Sequence, residues 1–209
     1  MAALAQARAA RSRAGRVGAV REAAGIAAYA AGEWAEALAE LRTARRLTGD
    51  ATHLPIIADC ERALGRPERA LDLARSPEVD RLAGAARVEM RIVQAGARRD
   101  LGQLDAALVT LQGPDLSRRI VEPWTARLWY AYADTLLALG RTDEARDWFA
   151  ATASIDENGM TDADERVLEL DGITVLDTDE ADEADQADEA DQAVEADEPE
   201  ETDSGEARS

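Results

Sequence analysis

The sequence has few of the side chains from which enzyme and metal sites are built. It contains one cysteine, Cys60, and one histidine, His53, in 209 residues. A single cysteine excludes an internal disulfide and a cysteine-cluster metal site. A catalytic Cys–His pair needs contact and a third orienting group, whereas these two residues are about two helical turns apart in sequence. The sequence also has no glycine loop that would cradle a phosphate. We therefore expect a protein that is not an enzyme and binds no cofactor.

Lysine and long apolar runs are missing as well. All 24 basic residues are arginine, and aromatic residues make up 4% of the chain. No stretch approaches the ~18 consecutive apolar residues of a membrane span. Alanine, the best helix former, is abundant, whereas the alternating β-branched and aromatic runs of strands are almost absent. The sequence predicts an all-α protein, and its lone cysteine favours a reducing, cytoplasmic location.

Negative charge is concentrated in one segment. Residues 177–209 hold 16 acidic residues and one base, whereas residues 1–176 hold 27 acidic and 23 basic residues. Alanine recurs every third residue in this tail, a period that gives neither a helix nor a strand an apolar face. We predict a disordered acidic tail. Two interpretations stay open: the tail contacts a basic partner or the arginines of the body, or it only increases solubility.

An internal repeat organises the rest of the chain. The segments A-G-E-W-A-E-A at 31–37, L-G-R-P-E-R-A at 64–70, L-G-Q-L-D-A-A at 101–107 and L-G-R-T-D-E-A at 139–145 share glycine at the second place and alanine at the seventh. Glycine ends a first helix in left-handed geometry, a side chain such as Thr142, Asp143 or Asp105 can start the second, and alanine allows close approach. Such hairpins bury their apolar stripes only by stacking. The repeat predicts a right-handed α-solenoid.

The fourth unit carries the clearest family pattern. It contains Trp129, Tyr132, Ala133, Leu136, Gly140, Ala145 and Phe149. The order of large, small, glycine and aromatic residues in this unit resembles the pattern of the tetratricopeptide repeat (TPR) family. The composition of the chain is similar to that of the small TPR proteins of actinobacteria. The resemblance covers residues 18–153 as four hairpins, although Glu61 and Arg98 replace usual apolar residues. It implies a scaffold or adaptor that binds a peptide segment in a concave groove.

The resemblance also assigns the groove to the first helix of each hairpin. The corresponding positions mix apolar and charged side chains, which suit an extended protein segment. They are Glu22, Ile26, Tyr29, Asp59, Arg62, Glu89, Ile92, Arg99, Asp100, Arg127, Tyr130 and Asp134. Chaperone-binding members clamp a terminal carboxylate with lysine and asparagine, but this chain has no lysine and its one asparagine, Asn158, lies outside the groove. Tyr130 and Trp124 are candidate binding hot spots.

The N-terminal residues 1–17 resemble the second helix of a further repeat whose first helix is missing. Shifting the chain by 34 places superposes Ala3, Leu4 and Arg8 on Ala37, Leu38 and Arg42. The apolar face of this helix then predicts either an upstream segment or self-association with a second chain. Nucleic-acid binding is disfavoured, because phosphate contacts need a net basic face.

Residues 154–176 follow the last hairpin and allow two interpretations. With Ser154 at the first place of a calcium loop, Asp156, Asn158, Asp162 and Glu165 fall at the third, fifth, ninth and twelfth places, and Gly159 at the sixth. Alternatively, Asn158 and Gly159 form a turn, and Thr161 caps a final helix at 163–170 that covers the end of the solenoid.

Overall fold

The computed structural model of the chain describes residues 2–119 and 121–173. These residues form α-helices without any β-strand, which confirms the predicted all-α class. The predicted acidic tail 177–209 lies outside the described residues.

The helices are α1 Ala2–Ala14, α2 Gly18–Ala30, α3 Trp34–Thr48, α4 Leu54–Ala63, α5 Pro67–Ala74, α6 Gly84–Asp100, α7 Leu104–Leu111, α8 Thr125–Ala138, α9 Thr142–Ala153 and α10 Ala163–Leu170, with a 3₁₀ helix at Pro77–Arg81. Among them, no helix combines the length and the apolarity that crossing a membrane requires.

The four repeated glycines end α2, α4, α6 and α8 in one geometry. Their φ angles lie between +71° and +75°. At each turn the amide of the residue after glycine donates to a carbonyl five residues earlier, from Glu33 to Ala28, Arg66 to Glu61, Gln103 to Arg98 and Arg141 to Leu136, with N···O distances of 2.8 to 3.0 Å. This closure satisfies carbonyls that the helix end leaves free. The predicted role of the glycines is confirmed.

The alanine five places after each glycine lies in a close helix contact. Ala37, Ala70, Ala107 and Ala145 are each 0% exposed. They bring α3, α5, α7 and α9 against α2, α4, α6 and α8, so the chain forms four antiparallel helical hairpins. Hairpins also contact their neighbours through the α4–α6 and α6–α8 pairs.

The predicted side-chain caps of the second helices are absent from these turns. Helix α9 begins at Thr142 after Arg141, and α7 begins at Leu104 after Gln103, and neither preceding side chain makes a capping hydrogen bond. The turn is too short for a separate cap. The residue after glycine closes the first helix with its amide and is also the residue that precedes the second helix.

Two glutamates are buried among these apolar contacts. Glu61, at a position where the family pattern expects an apolar side chain, is 0% exposed and forms ion pairs with Arg42 and Arg66. Glu40 is 4% exposed and lies between Arg11 of α1 and Arg21 of α2, at 2.7 and 2.8 Å. Each buried carboxylate therefore has two guanidinium partners, as burial of a charge requires.

Helices α1 and α10 pack at the two ends of the hairpin series. Helix α1, within the predicted segment 1–17, packs on α2 and buries Leu4. Helix α10 packs on α9 and has the bounds predicted for the final helix. Its end repeats the glycine turn of the hairpins, since Gly172 has φ +76° and the amide of Ile173 donates to Leu168 at 2.9 Å.

Candidate binding clefts

A central cleft of about 480 Å³ lies between helices α2, α4, α6 and α8. Its position follows from the hairpins, because the first helix of each one contributes a wall. Six predicted groove residues line it: Tyr29, Asp59, Arg62, Glu89, Ile92 and Arg127. The structure therefore brings together residues that are up to 98 positions apart in the sequence.

Two further clefts hold most of the other predicted groove residues. A distal cleft of about 680 Å³, between α6, α8 and the segment 159–165, shares Ile92 and Arg127 with the central cleft and adds Tyr130. A lateral cleft of about 360 Å³ is lined by Arg62, Arg99, Asp100 and Asp134. The distal and lateral clefts thus adjoin the central one through shared side chains.

Two predicted groove residues lie outside the three clefts. The Glu22 carboxylate is 2.8 Å from Nε2 of His53 at the start of α4. Ile26 is 40% exposed on α2. Both precede Tyr29 on the same helix, so the clefts begin at the C-terminal end of α2.

Polar side chains join α2, α4 and α6 across the central cleft. The Tyr29 hydroxyl donates to Oδ2 of Asp59 at 2.6 Å. Arg62 then bridges two carboxylates, with Nη1 2.9 Å from Asp59 Oδ1 and Nε 2.6 Å from Asp100 Oδ2. One chain of contacts therefore runs over three hairpins.

Equivalent pairs join α6 to α8. The Arg127 guanidinium holds both carboxylate oxygens of Glu89, at 2.8 and 2.9 Å. Arg99 forms an ion pair with Asp134 one turn from the end of α8. We call the pairs Tyr29–Asp59, Arg62–Asp100, Glu89–Arg127 and Arg99–Asp134 the polar ladder.

The polar ladder makes the central and lateral clefts neutral and adaptable. Its members are paired with one another, so these two clefts present no strong field of either sign. The distal cleft is more acidic, because Asp162, Asp164 and Glu165 also line it. Arg127 and Glu89 keep 51% and 26% of their side-chain surface exposed. Because exposed ion pairs contribute only about 0–1 kcal/mol, a ligand can open one of them at small cost and take over its hydrogen bonds.

Two tyrosines in the clefts are held as neutral hydroxyls. Burial, followed by the hydrogen bond to Asp59, raises the pKa of Tyr29 above its usual range. Burial, followed by a hydrogen bond to Asp162, does the same to the pKa of Tyr130. Tyr130 also packs edge-on against Phe149, with ring centroids 5.3 Å apart. Of the two predicted hot spots, Tyr130 lines a cleft, whereas half-buried Trp124 packs with the core around Phe149.

The apolar wall of the central cleft is not among the residues predicted from the sequence. This wall consists of Pro55 and Ile56 on α4 and Ala85, Ala86 and Val93 on α6. Ile56 lies three residues before Asp59, and Ala85 and Ala86 lie four and three residues before Glu89. Positions three and four apart share a helix face, so extending the groove pattern by one turn toward the start of each helix identifies Pro55, Ile56, Ala85 and Ala86. Val93 follows from the same spacing in the other direction, since it lies four residues after Glu89.

The segment Ser154–Glu165 favours the turn interpretation over the calcium loop. Asp156 accepts hydrogen bonds from the amides of Met160 and Thr161, at 2.9 and 2.7 Å, and from the Thr161 hydroxyl. These bonds lower the pKa of Asp156, the amide of Met160 contributing most. Asp162 and Glu165 line the distal cleft instead. No three acidic, histidine or cysteine side chains of the described segments are placed to share a metal ion.

The predicted capping role of Thr161 is wrong, although the helix itself is confirmed. Asp162 precedes α10, and it makes no side-chain capping bond. The Thr161 hydroxyl donates to Asp156 Oδ2 at 2.7 Å. Thr161 therefore closes the preceding turn, because Asp156 needs donors and lies within reach.

The two residues considered for nucleophilic chemistry, His53 and Cys60, lie outside the lining of the three clefts. His53 contacts Glu22. Cys60 is 0% exposed, and burial, more than the neighbouring Asp59 and Glu61, raises its pKa to about 12. A buried thiol of this kind is not a nucleophile at neutral pH.

Comparison of the sequence with models of protein families and with curated proteins finds no match.

Proposed function

We propose that this chain is a TPR-like protein whose hairpins stack as a right-handed solenoid, and that it acts as a non-catalytic scaffold or adaptor. It binds an extended protein segment across the central and distal clefts. The observation that carries this proposal is that both clefts share Ile92 and Arg127. A single extended segment of ~3.3 Å per residue can therefore pass from one cleft to the other.

The lining of the clefts suggests the chemistry of the segment. Ile56, Ile92 and Val93 offer an apolar wall for an aliphatic or aromatic side chain. Glu89 and Arg127 offer an acceptor and a donor to the polar groups on either side of it. The segment that fits best is thus one with an apolar anchor flanked by polar residues, since the neutral central cleft gives no advantage to a highly charged ligand and the acidic residues of the distal cleft disfavour an acidic one.

The proposal of a non-catalytic role is supported by the state of the reactive groups. The Cys60 thiol is buried and protonated, and His53 contacts a carboxylate outside the three clefts. The ionisable side chains of the polar ladder hold one another in pairs. None of these arrangements supplies a nucleophile with an adjacent base.

The test uses a substitution that fills the central cleft with a large side chain and leaves the core unchanged. Ala85 is exposed at the start of α6 and lines the cleft, whereas Ala39 is exposed on α3 and lines none of the three clefts. We expect peptides selected by the wild-type chain from a phage-displayed library to lose binding to A85W, because the indole occupies their site. Binding to A39W, measured by calorimetry, stays unchanged.

The proposal fails if A85W binds the selected peptides as tightly as the wild-type chain does. It also fails if the library yields no peptide that binds the wild-type chain. Circular dichroism of both variants checks that the same helical fold is present in each of them.

A second candidate function is that of a regulatory subunit acting through its acidic segment on a basic partner. The charge of residues 177–209, with 16 acidic residues and one base, supports it. We expect deletion of these residues to weaken binding of a polyarginine peptide, measured by fluorescence anisotropy, with the loss reduced at high salt. Full affinity after the deletion would contradict this function.

A further inference from the structure

A fourth cleft lies at the junction of α1 and α2, outside the proposed peptide site. It measures about 410 Å³ and is formed by the end of α1, the connection at 15–17 and the first turns of α2. Four arginines line it: Arg11, Arg13, Arg16 and Arg21. Among residues 2–119 and 121–173, no acidic residue lines this cleft. We call it the arginine cleft.

Only part of this positive charge is neutralised by the described residues. Arg11 and Arg21 both bind the buried carboxylate of Glu40, and Arg11 also contacts Glu36. Arg13 and Arg16 are exposed and lie within ion-pair distance of no acidic residue in the described part of the chain. Arg21 is fixed in place, because its Nε donates to the carbonyl of Gly15 at 2.7 Å. The cleft therefore has two exposed guanidinium groups, those of Arg13 and Arg16, that no carboxylate of the described residues neutralises.

We propose that the arginine cleft binds the acidic segment 177–206 of the same chain. This segment carries 16 acidic residues and no base. Paired acidic residues recur along it and include Asp197–Glu198 and Glu200–Glu201 near its far end, so adjacent carboxylates can reach the two exposed guanidinium groups together. Arginine suits this role, since its planar fork binds carboxylates through two parallel hydrogen bonds.

The length of the chain allows this contact within one molecule. The described residues end at Ile173, next to α10, and the 33 residues 174–206 can span up to about 110 Å. Ten helices packed at about 10 Å spacing place α1 no more than about 90 Å from α10. Tethering makes this contact intramolecular, at an effective concentration set by the length of the linker and the distance it spans, whereas a free anion of equal charge has to be supplied from solution.

A nucleic-acid phosphate is the competing occupant, and the charge of the body disfavours it. Residues 1–176 hold 27 acidic and 23 basic residues, so the body as a whole carries a small net negative charge, which opposes the binding of a long polyanion. The tethered segment meets the same repulsion but is already held close by the chain.

The test places a nitroxide spin label on the acidic segment of the full chain through the substitution Ser204→Cys. Native Cys60 is 0% exposed and stays unlabelled. At low salt we expect the label to broaden the amide signals of Gly15 and Gly18, which flank the arginine cleft. The broadening disappears in R13E/R16E. It persists in R69E/R81E, which makes the same charge change at exposed arginines outside the cleft.

Several outcomes would overturn the proposal. One is the absence of broadening at Gly15 and Gly18, and another is equal broadening in both charge-reversal variants. A third is broadening that occurs only when labelled chains are mixed with isotope-enriched chains, because this result assigns the contact to a second copy of the chain. Loss of the broadening on adding one equivalent of oligouridylate at physiological salt would assign the cleft to nucleic acid. If R13E/R16E does not fold, R13Q/R16Q replaces it, with loss of broadening again expected.

Discussion

Among single residues, Glu61 has the most unusual environment. Its carboxylate is fully buried, yet Arg42 and Arg66, which bind it, keep 47% and 43% of their side-chain surface exposed. The arginines can therefore return to water if the glutamate is removed, but the glutamate cannot do so if the arginines are removed. The energetic cost of breaking this cluster depends on which partner is lost.

We expect this asymmetry to appear when the free energy of unfolding is compared between variants that lack the arginines and a variant that lacks the glutamate. Replacing both arginines, as R42A/R66A, leaves a buried unpaired charge and costs about 3 kcal/mol or more. Replacing the carboxylate by an apolar side chain of similar volume, as E61L, changes stability by less than about 1 kcal/mol or increases it. Urea unfolding followed by circular dichroism measures both. A larger loss in E61L than in R42A/R66A would contradict this account.

Among the elements, the turn before α10 depends on one ionised side chain. The hydrogen bonds from Met160 and Thr161 favour the charged form of Asp156 and lower its pKa in the folded chain. A depressed pKa means that this carboxylate stabilises the fold above its unfolded value of about 3.9 and loses that contribution as the pH falls further.

We therefore expect acid to destabilise the wild-type chain more than the variant D156N. The difference in Tm between them, measured by circular dichroism, is largest at neutral pH and shrinks below about pH 4. D164N is the control, since Asp164 is exposed on α10 and accepts no hydrogen bond from the described residues. A Tm difference that does not change with pH would show that Asp156 acts without its charge.

How far the sequence predicts these elements depends on the range of the interaction. The glycine turns and the alanine contacts are local, so Gly140 and Ala145 are recognised from their neighbours in the sequence. Helix α10 follows for the same reason from the turn at Asn158 and Gly159.

The polar ladder is harder to predict, because its partners come from different hairpins. Arg62 and Asp100 are 38 positions apart, and their contact depends on how α4 and α6 pack. Periodicity places each side chain on a helix face but does not choose its partner. The burial of Glu61 was missed for the same reason, since Arg42, which neutralises it, is on the preceding hairpin.

For the whole molecule, the core is distributed along the chain rather than gathered at one centre. Phe149, Met90 and Leu41 belong to three separate clusters of buried residues. In arrays where each unit contacts mainly its neighbours, stability is a sum of local terms. Cys60 lies in the cluster that contains Leu41, the first cluster along the chain, and reports on the opening of α4 from α3.

We expect Cys60 to be almost inert in the folded chain. Its pKa of about 12, against about 8.5 for a free thiol, lowers the reactive thiolate fraction by about a thousandfold at mildly alkaline pH, and burial adds to this. Reaction with a disulfide reagent is therefore at least a thousandfold slower than in concentrated guanidinium chloride. Labelling at the rate of a free thiol under native conditions would mean that the first cluster opens readily.

The polar ladder also uses one arginine position twice. Arg62 and Arg99 each lie three residues before the glycine that ends their helix, and each meets an aspartate of the next first helix, at Arg62–Asp100 and at Arg99–Asp134. A chain in which residue 62 is joined directly to residue 100 would lack one hairpin, and we expect Arg62 to take the place of Arg99 opposite Asp134. This arginine position is therefore a contact that arrays of different length can reuse.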